Sequence, residues 1–259
     1  MTVEPAEAAD ALAESWRFLC ASVSGGWASS APGATAGVTG VASPTLNGVL
    51  VQSADADPAE VAGLVEEVRA TGLPFFLQCR PAMEARLGEV AAARAMTREA
   101  RDIPLMARHR TDGAVPPDLP GGLVIRELSP DEAPLHADVA AVGFEAPVEE
   151  FRRLMTPSML ALPEVRGYLG EVDGMPVTTG LGVRVGPSVA VFNIGTPAEH
   201  RRKGYAAAVT ARIVADGLAS GATWAWLQSS QAGFHVYERL GFSTIEAWPR
   251  WLMTGADGS

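Results

Sequence analysis

The stretch Val191–Val214, VFNIGTPAEHRRKGYAAAVTARIV, decides the fold of this 259-residue chain. It begins as an apolar strand that ends near Thr196. After four residues comes the pattern Arg-x-x-Gly-x-Ala, from Arg201 to Ala206, and then an apolar helix. A helix N-terminus carries unpaired N–H groups and a partial positive charge, so it favours bound phosphates.

The residue types at this helix start suit a pyrophosphate. Gly204 and Ala206 leave room for the ligand to approach the backbone. Arg201, Arg202 and Lys203 add positive charge there, and Lys203 is the only lysine in the chain. A six-residue match of this kind also fits a basic, capped helix on the surface, so the neighbouring elements must decide between the two.

Outside this stretch, the second half of the sequence predicts an α+β domain with a mixed sheet flanked by helices. Hydrophobic periodicity and turn residues give the order β-α-α-β-β-β-α-β-α-β. Leu135, Val139 and Val142 fall at i, i+4 and i+7 and predict the buried face of the first helix. The strands are expected at 123–128, 166–172, 176–185, 188–196, 222–229 and from 241, and helices after 129 and at 149–155, 204–218 and 232–240.

The Pro- and Gly-rich stretch 109–122 predicts an exposed linker between two domains, 1–120 and 121–259. The end of the first domain reads helix, strand, helix, strand, in the same order as the end of the second. This pattern favours an internal duplication of the fold.

Together with Tyr237-x-x-Leu240-Gly241-Phe242, these features resemble the GCN5-related N-acetyltransferase (GNAT) family over about residues 123–252. The resemblance implies a GNAT-like mixed sheet flanked by helices, with two such domains in tandem. It also implies acetyl-CoA as cosubstrate and no metal. The residues implied to bind acetyl-CoA are Ile194, Gly195, Thr196, Arg201, Arg202, Lys203, Gly204, Tyr205, Ala206 and Ser230.

The resemblance also implies catalytic roles in acyl transfer. Tyr237 stands where the family often has a general acid, able to protonate the leaving thiolate. The alternative is a half-buried aromatic ring that packs without proton transfer. Ser229 or Ser230 either hydrogen-bonds the cosubstrate or caps the helix that follows, and the sequence leaves both open.

The general base cannot be assigned from the sequence. Many relatives place a glutamate on the strand before the pyrophosphate loop, but here residues 188–195 read SVAVFNIG, without a carboxylate. Asn193 can orient a water molecule but cannot accept a proton at neutral pH. Asn193 and Glu145 are the candidate substrate-binding residues, while His200 and His235 are expected at the surface.

The first half has acidic residues at the corresponding helix start. Asp55, Asp57 and Pro58 stand where the second half has Arg201 to Lys203. Pro58 removes a backbone donor, and an aspartate cap occupies the N–H groups that a pyrophosphate would use. The sequence therefore predicts that domain 1–120 is a degenerate, non-catalytic copy.

Composition narrows the classes of function. The net charge is −10, which disfavours nucleic-acid binding because phosphate backbones are bound mainly by Lys and Arg. Two cysteines give neither a disulfide framework nor a metal motif. Without an apolar stretch of about 20 residues or a signal-type N-terminus, we expect a cytoplasmic protein and no membrane partner.

The prediction from sequence is an acetyl-CoA-dependent N-acyltransferase that moves an acetyl group directly to the amine of a small molecule. One alternative is a non-catalytic acyl-CoA-binding sensor or scaffold, suggested by the missing glutamate. Another is an aminoacyl-tRNA-dependent acyltransferase, which ranks last because the basic residues cluster at the loop instead of forming a stripe. The acceptor and the oligomeric state stay open.

Overall fold

The computed structural model describes residues 2–113 and 119–254. The helices are α1 (Pro5–Ser22), α2 (Pro58–Arg69), α3 (Glu84–Ala92), α4 (Ala133–Phe144), α5 (Val148–Leu154), α6 (Pro157–Leu160), α7 (Tyr205–Ala219) and α8 (Phe234–Arg239). The strands are β1 (Trp27–Ala31), β2 (Ala34–Val38), β3 (Asn47–Val51), β4 (Phe75–Cys79), β5 (Thr97–Arg98), β6 (Ile103–His109), β7 (Leu123–Glu127), β8 (Val165–Val172), β9 (Met175–Val185), β10 (Ser188–Gly195), β11 (Trp224–Gln228), β12 (Ser243–Trp248) and β13 (Arg250–Met253).

The strands form two mixed sheets, each flanked by helices, which confirms the predicted fold class. One sheet has six strands in the order β1-β2-β3-β4-β13-β5, and the other has seven in the order β12-β6-β11-β10-β9-β8-β7. In each sheet one pair is parallel, β3 with β4 and β10 with β11, while the neighbouring hairpins are antiparallel.

The chain divides into two compact units, but not at residue 120. Glu4–Leu105 and the chain from Thr244 make up the N-terminal unit, and Met106–Ser243 makes up the C-terminal unit. The C-terminal end returns to the first sheet because β13 pairs antiparallel with β4. Local composition carries no signal for such a distant pairing, which is why the predicted boundary differs. Residues 114–118 of the predicted linker lie outside the described residues.

In the N-terminal unit, α2 packs its apolar stripe against the sheet. Val61, Leu64, Val65 and Val68 are buried in one cluster with strand residues such as Leu77. The helix begins where Asp57 caps it, its carboxylate accepting from the Ala59 N–H at 2.9 Å, and Pro58 occupies the first turn. The sequence prediction of this helix and its cap is confirmed.

In the C-terminal unit, helices α7 and α4 cover opposite faces of the sheet near the end of β10. A Cβ built on Gly180 of β9 would lie 2.9 Å from Ile213 of α7. The neighbouring Thr179 contacts His136 of α4 instead, its hydroxyl 2.7 Å from Nδ1. Consecutive strand residues point to opposite faces, so the two helices sandwich β9 and β10.

The buried face of α4 matches the predicted one only in part, since Val139 is buried and Leu135 half-buried. Val142 is 55% exposed, whereas the face toward the sheet consists of His136 and small residues such as Ala137 and Ala140. Small side chains are needed here because α4 lies against the backbone of β10. A Cβ on Gly195 would lie only 3.0 Å from the Ala140 Cα.

Within the described residues, no helix is long and apolar enough to cross a membrane.

Candidate functional site

The parallel strands β10 and β11 separate before they end. Their pairing covers Ser188–Ala190 against Trp224–Trp226, although β10 continues to Gly195. Antiparallel pairing with β9 continues on the other side of β10, as far as Gly195 opposite Thr179. The last five residues of β10 therefore have backbone groups that face a gap instead of a strand.

A bulge redirects β10 at this gap. The register with β9 shifts between Phe192 and Gly195, and Asn193 adopts a left-handed conformation with φ of 51°. The Thr178 hydroxyl fixes the strand end by donating to the Gly195 carbonyl at 3.0 Å. Bulges beside a gap re-aim backbone and side-chain groups, and they are frequent next to active sites.

Helix α7 begins beside this strand end with free backbone donors. Gly204 precedes it in a left-handed conformation (φ 85°), and no side chain caps it. The first intrahelical bond runs from the Ala208 N–H to the Gly204 carbonyl. Among the described residues, the N–H groups of Tyr205, Ala206 and Ala207 have no protein acceptor. This end of α7 can therefore receive an anion.

The three basic residues of the loop behave differently from one another. Arg201 turns toward the protein, where its guanidinium donates to the carbonyls of Thr196 and Gly143 and to the Glu145 carboxylate. Arg202 and Lys203 are exposed, and neither forms an ion pair with any residue in the described ranges. Positive charge is thus available to a ligand from Arg202 and Lys203.

Tyr237 lies half-buried on α8, with its ring packed against Phe242 at a centroid distance of 6.1 Å. A Cβ on Gly233 would lie 2.8 Å from the Tyr237 Cε2, so only glycine leaves room for the ring. Burial raises the pKa of Tyr237 to about 12. The phenol is protonated at neutral pH, as a tyrosine at its ordinary pKa also is, and can act as a donor.

The two candidate serines both make local hydrogen bonds. The Ser230 hydroxyl accepts from the Gly233 N–H at 3.2 Å in the turn that leads into α8. Ser229 is buried, and its hydroxyl donates to the Ser230 carbonyl. The Ser230 bond belongs to this turn, since α8 itself has Gly233 as its N-cap without a side-chain cap.

Glu145 and Asn193 belong to a group of strained residues around the loop. Five residues other than glycine have positive φ in the described chain, and three of them are Glu145, Asn193 and Arg202. Strained backbone often concentrates at functional sites, where the surrounding structure holds it in place. The Glu145 carboxylate is bound to Arg201 at 2.9 Å, which leaves it poorly placed to accept a proton as a free base.

Sequence reasoning missed His136, which is fully buried under the end of the sheet. The Thr179 hydroxyl donates to the Tyr168 carbonyl, so His136 donates its Nδ1 proton to Thr179, and its Nε2 has no partner among the described residues. Burial lowers the pKa of His136 to about 4. The only available signal was its position one turn before Ala140 on the small-residue face.

The three other histidines of the C-terminal unit, His109, His200 and His235, lie elsewhere. His235 is exposed on α8, with Nδ1 2.7 Å from the Glu238 carboxylate. His200 is half-buried in a short 3₁₀ turn before Arg201. In the part of the chain that the structure describes, no three His, Cys, Asp or Glu residues are grouped to hold a metal ion.

Solved structures with a similar fold include GCN5-related N-acetyltransferases. One from Kribbella flavida aligns with a TM-score of 0.69 and 24% identity, over 96% of both chains. One from Sphaerobacter thermophilus gives 0.62 at 19% identity, over 85% of this chain and 76% of its own. A tandem GNAT protein from the clavulanic acid biosynthesis pathway gives 0.57 at 15% identity, over 87% and 80%.

These similarities establish the GNAT fold for this chain. No protein-family model and no curated protein matches the sequence.

Proposed function

We propose that the chain is an acetyl-CoA-dependent N-acyltransferase that transfers an acetyl group directly to the amine of a small molecule. The observation that carries this proposal is the gap between β10 and β11, which opens beside the uncapped N-terminus of α7. An extended thioester arm fits a gap lined by strand backbone, and its pyrophosphate fits a helix start.

The donor set at α7 suits a pyrophosphate. Three free N–H groups, from Tyr205 to Ala207, can donate to phosphate oxygens, and Arg202 and Lys203 can offset the negative charge. Gly204 has no side chain to fill the space, and a Cβ there would already lie 3.2 Å from Pro120. Backbone groups of Ile194 to Thr196 are available to the acyl arm.

When bound, acetyl-CoA supplies a thioester carbonyl that an amine attacks, with the CoA thiolate as leaving group. Backbone N–H groups at the splayed end of β10 would stabilise the negative charge that develops on the carbonyl oxygen. Tyr237 would give its phenolic proton to the departing thiolate, since a tyrosine phenol is protonated at neutral pH. Gly233 keeps the ring in place for this role.

The proton of the attacking amine has no carboxylate acceptor on β10. We propose that it passes to water oriented by the Asn193 amide, or that the amine arrives neutral. The rate should then rise with pH in step with ionisation of the chosen amine. A rate that instead follows one pKa near 4 to 6 for every amine would indicate a carboxylate base.

The proposal is tested by screening amines for release of free thiol from acetyl-CoA. We expect turnover with at least one amine class, a fall of about 100-fold or more in kcat in Tyr237→Phe, and unchanged affinity for acetyl-CoA. His235→Gln, on the exposed side of α8, is the matched control and should retain full activity.

A second candidate is a sensor that binds acyl-CoA without turnover, favoured by the missing carboxylate on β10. Tight acetyl-CoA binding with no thiol release from any amine would support it and contradict the enzyme. For the N-terminal unit we propose a degenerate, non-catalytic copy, because Asp57 and Pro58 occupy the start of α2.

A further inference from the structure

The guanidinium of Arg201 joins three points of the chain. Its Nε donates to the Thr196 carbonyl at 3.1 Å, and its Nη2 donates to the Gly143 carbonyl and to the Glu145 carboxylate, both at 2.9 Å. These partners lie after β10 and at the C-terminal end of α4. Arg201 therefore connects the end of α4 to the loop that leads into α7.

The same junction depends on a close backbone contact. A Cβ built on Gly143 would lie 2.6 Å from the Thr196 nitrogen and 2.8 Å from the Gly195 Cα. Any side chain at position 143 would separate α4 from the end of β10. Arg201 spans this contact from the solvent side, so the junction is held by packing and by hydrogen bonds together.

Glu145 occupies a conformation that an ordinary residue avoids. It ends α4 with φ 55° and ψ 40°, where glycine or asparagine is favoured. Its ion pair with Arg201 is solvent-exposed, with side-chain exposures of 69% and 44%, and such pairs add little stability. The left-handed backbone of Glu145 destabilises the fold by more than its exposed ion pair stabilises it. We therefore infer that Glu145 has a role in the site.

We propose that Arg201 is a positioning residue, which clamps the end of α4 to the loop, while Arg202 and Lys203 supply the cationic side chains to the pyrophosphate. This inference rests on the proposed function. Helices α7 and α4 cover opposite faces of the sheet here, and the start of α7 is taken by the pyrophosphate, so we expect the acceptor to approach the gap beside the end of α4, where Glu145 is exposed. The clamp holds Glu145 and the residues after it where the acceptor approaches. Binding of acetyl-CoA at the loop before α7 would therefore also order these residues.

The first test compares the three basic residues through binding of acetyl-CoA by the full chain. At low salt, we expect Arg202→Ala and Lys203→Ala each to weaken binding about 5- to 20-fold, with a smaller loss in 0.5 M salt because charge pairs are screened. Arg201→Ala should change the dissociation constant less than about 3-fold at either salt concentration. If Arg201→Ala behaves like the other two variants, the positioning role is wrong.

The second test follows hydrogen exchange at the end of α4. In the free protein, Arg201→Ala should speed exchange of the Glu145 and Ala146 amides at least about 10-fold, and Arg202→Ala should leave it unchanged. Acetyl-CoA should slow this exchange in the wild type but not in Arg201→Ala. Equal exchange in the free wild type and Arg201→Ala overturns the clamp, whereas absent acetyl-CoA binding in the wild type overturns only the proposed function.

The third test uses the strain at Glu145. Glu145→Gly should raise Tm by about 2 °C, because glycine fits the left-handed conformation, and should abolish the slowing of exchange by acetyl-CoA. Ala95→Gly is the matched control, since exposed Ala95 has φ 57° at the end of α3. It should raise Tm similarly and leave the response to acetyl-CoA intact. A lower Tm in Glu145→Gly, or an intact response, contradicts the inference.

Discussion

The two parallel strand pairs of this protein have the same topology but differ at their ends. β3 and β4 stay paired from Gly48–Phe76 to Val51–Cys79, and the Arg80 N–H still donates to the Val51 carbonyl. β10 and β11 separate after Ala190, five residues before β10 ends. A closed pair has satisfied its backbone groups, whereas an open pair leaves them for a ligand.

The helices that connect the two strands of each pair, α2 and α7, also differ at their starts. α2 begins with Pro58, which has no N–H, and with an aspartate cap, which accepts from the Ala59 N–H. α7 begins after Gly204 without a cap. Strand separation and helix capping are independent features, and they occur together: the separated pair has the uncapped helix, and the closed pair has the capped one. Under the proposed function, these two local features distinguish the unit that binds acyl-CoA from the one that does not.

The largest expected effect comes from filling the open site. Gly204→Glu should weaken acetyl-CoA binding at least about 1000-fold, or about 4 kcal/mol, because it blocks several charge-assisted hydrogen bonds and adds a negative charge. Calorimetric titration measures this change. Gly72→Glu is the control for backbone strain, since Gly72 also has positive φ but follows α2, where nothing lies within 4 Å of an added Cβ. An equal loss of affinity in both variants would contradict a binding site at the start of α7.

A second expected effect is acid sensitivity confined to the C-terminal unit. Burial lowers the pKa of His136 to about 4 from 6.5, so its contribution to stability is complete above pH 6.5 and is lost as the pH falls toward 4. The loss amounts to about 3 kcal/mol. Residues 4–105 contain no histidine.

Hydrogen exchange measured between pH 7 and pH 4 locates this loss. The C-terminal unit should open first, and His136→Gln should reduce the dependence on pH. Opening of the N-terminal unit at the same pH, with no change in His136→Gln, would contradict the assignment.

A third prediction concerns the cap of α2. Asp57→Ala should reduce the free energy of unfolding by about 1 kcal/mol, because the Ala59 N–H loses its acceptor, and Asp57→Ser should restore most of it. Denaturant unfolding measures the loss. Neither change should affect acetyl-CoA affinity, so a large change in affinity would show that α2 takes part in binding.

The smallest expected effect comes from removing the cap and the acidic residues at the start of α2. The combined change Asp55→Arg, Asp57→Gly and Pro58→Ala gives α2 a basic, uncapped start. We expect no second acetyl-CoA site, because β3 and β4 remain paired to their ends. Equilibrium dialysis counts the sites, and a gain of one site would show that capping and charge decide binding, without strand separation.

Most of the fold was predictable because local patterns determine it. The strands 166–172, 176–185 and 188–196 and the helix at 204–218 lie within two residues of their predicted ends. The return of β13 to the first sheet was not predictable, since β13 pairs with β4 across more than 170 residues.

The direction in which the Arg201 side chain turns could not be predicted from the sequence either. Arg201 carries the same charge as Arg202, and only the three-dimensional position of Gly143 and Glu145 shows that it turns toward the protein. Likewise, periodicity placed Val142 in the buried face of α4, but the close approach to Gly195 selects the small residues instead.

The central claim is that one of the two units binds acyl-CoA. A calorimetric titration of the full chain with acetyl-CoA, repeated on the Gly204→Glu variant, tests it most directly. The account predicts one site per chain in the wild type and none in the variant. Two sites in the wild type, or one site retained in Gly204→Glu, would contradict it.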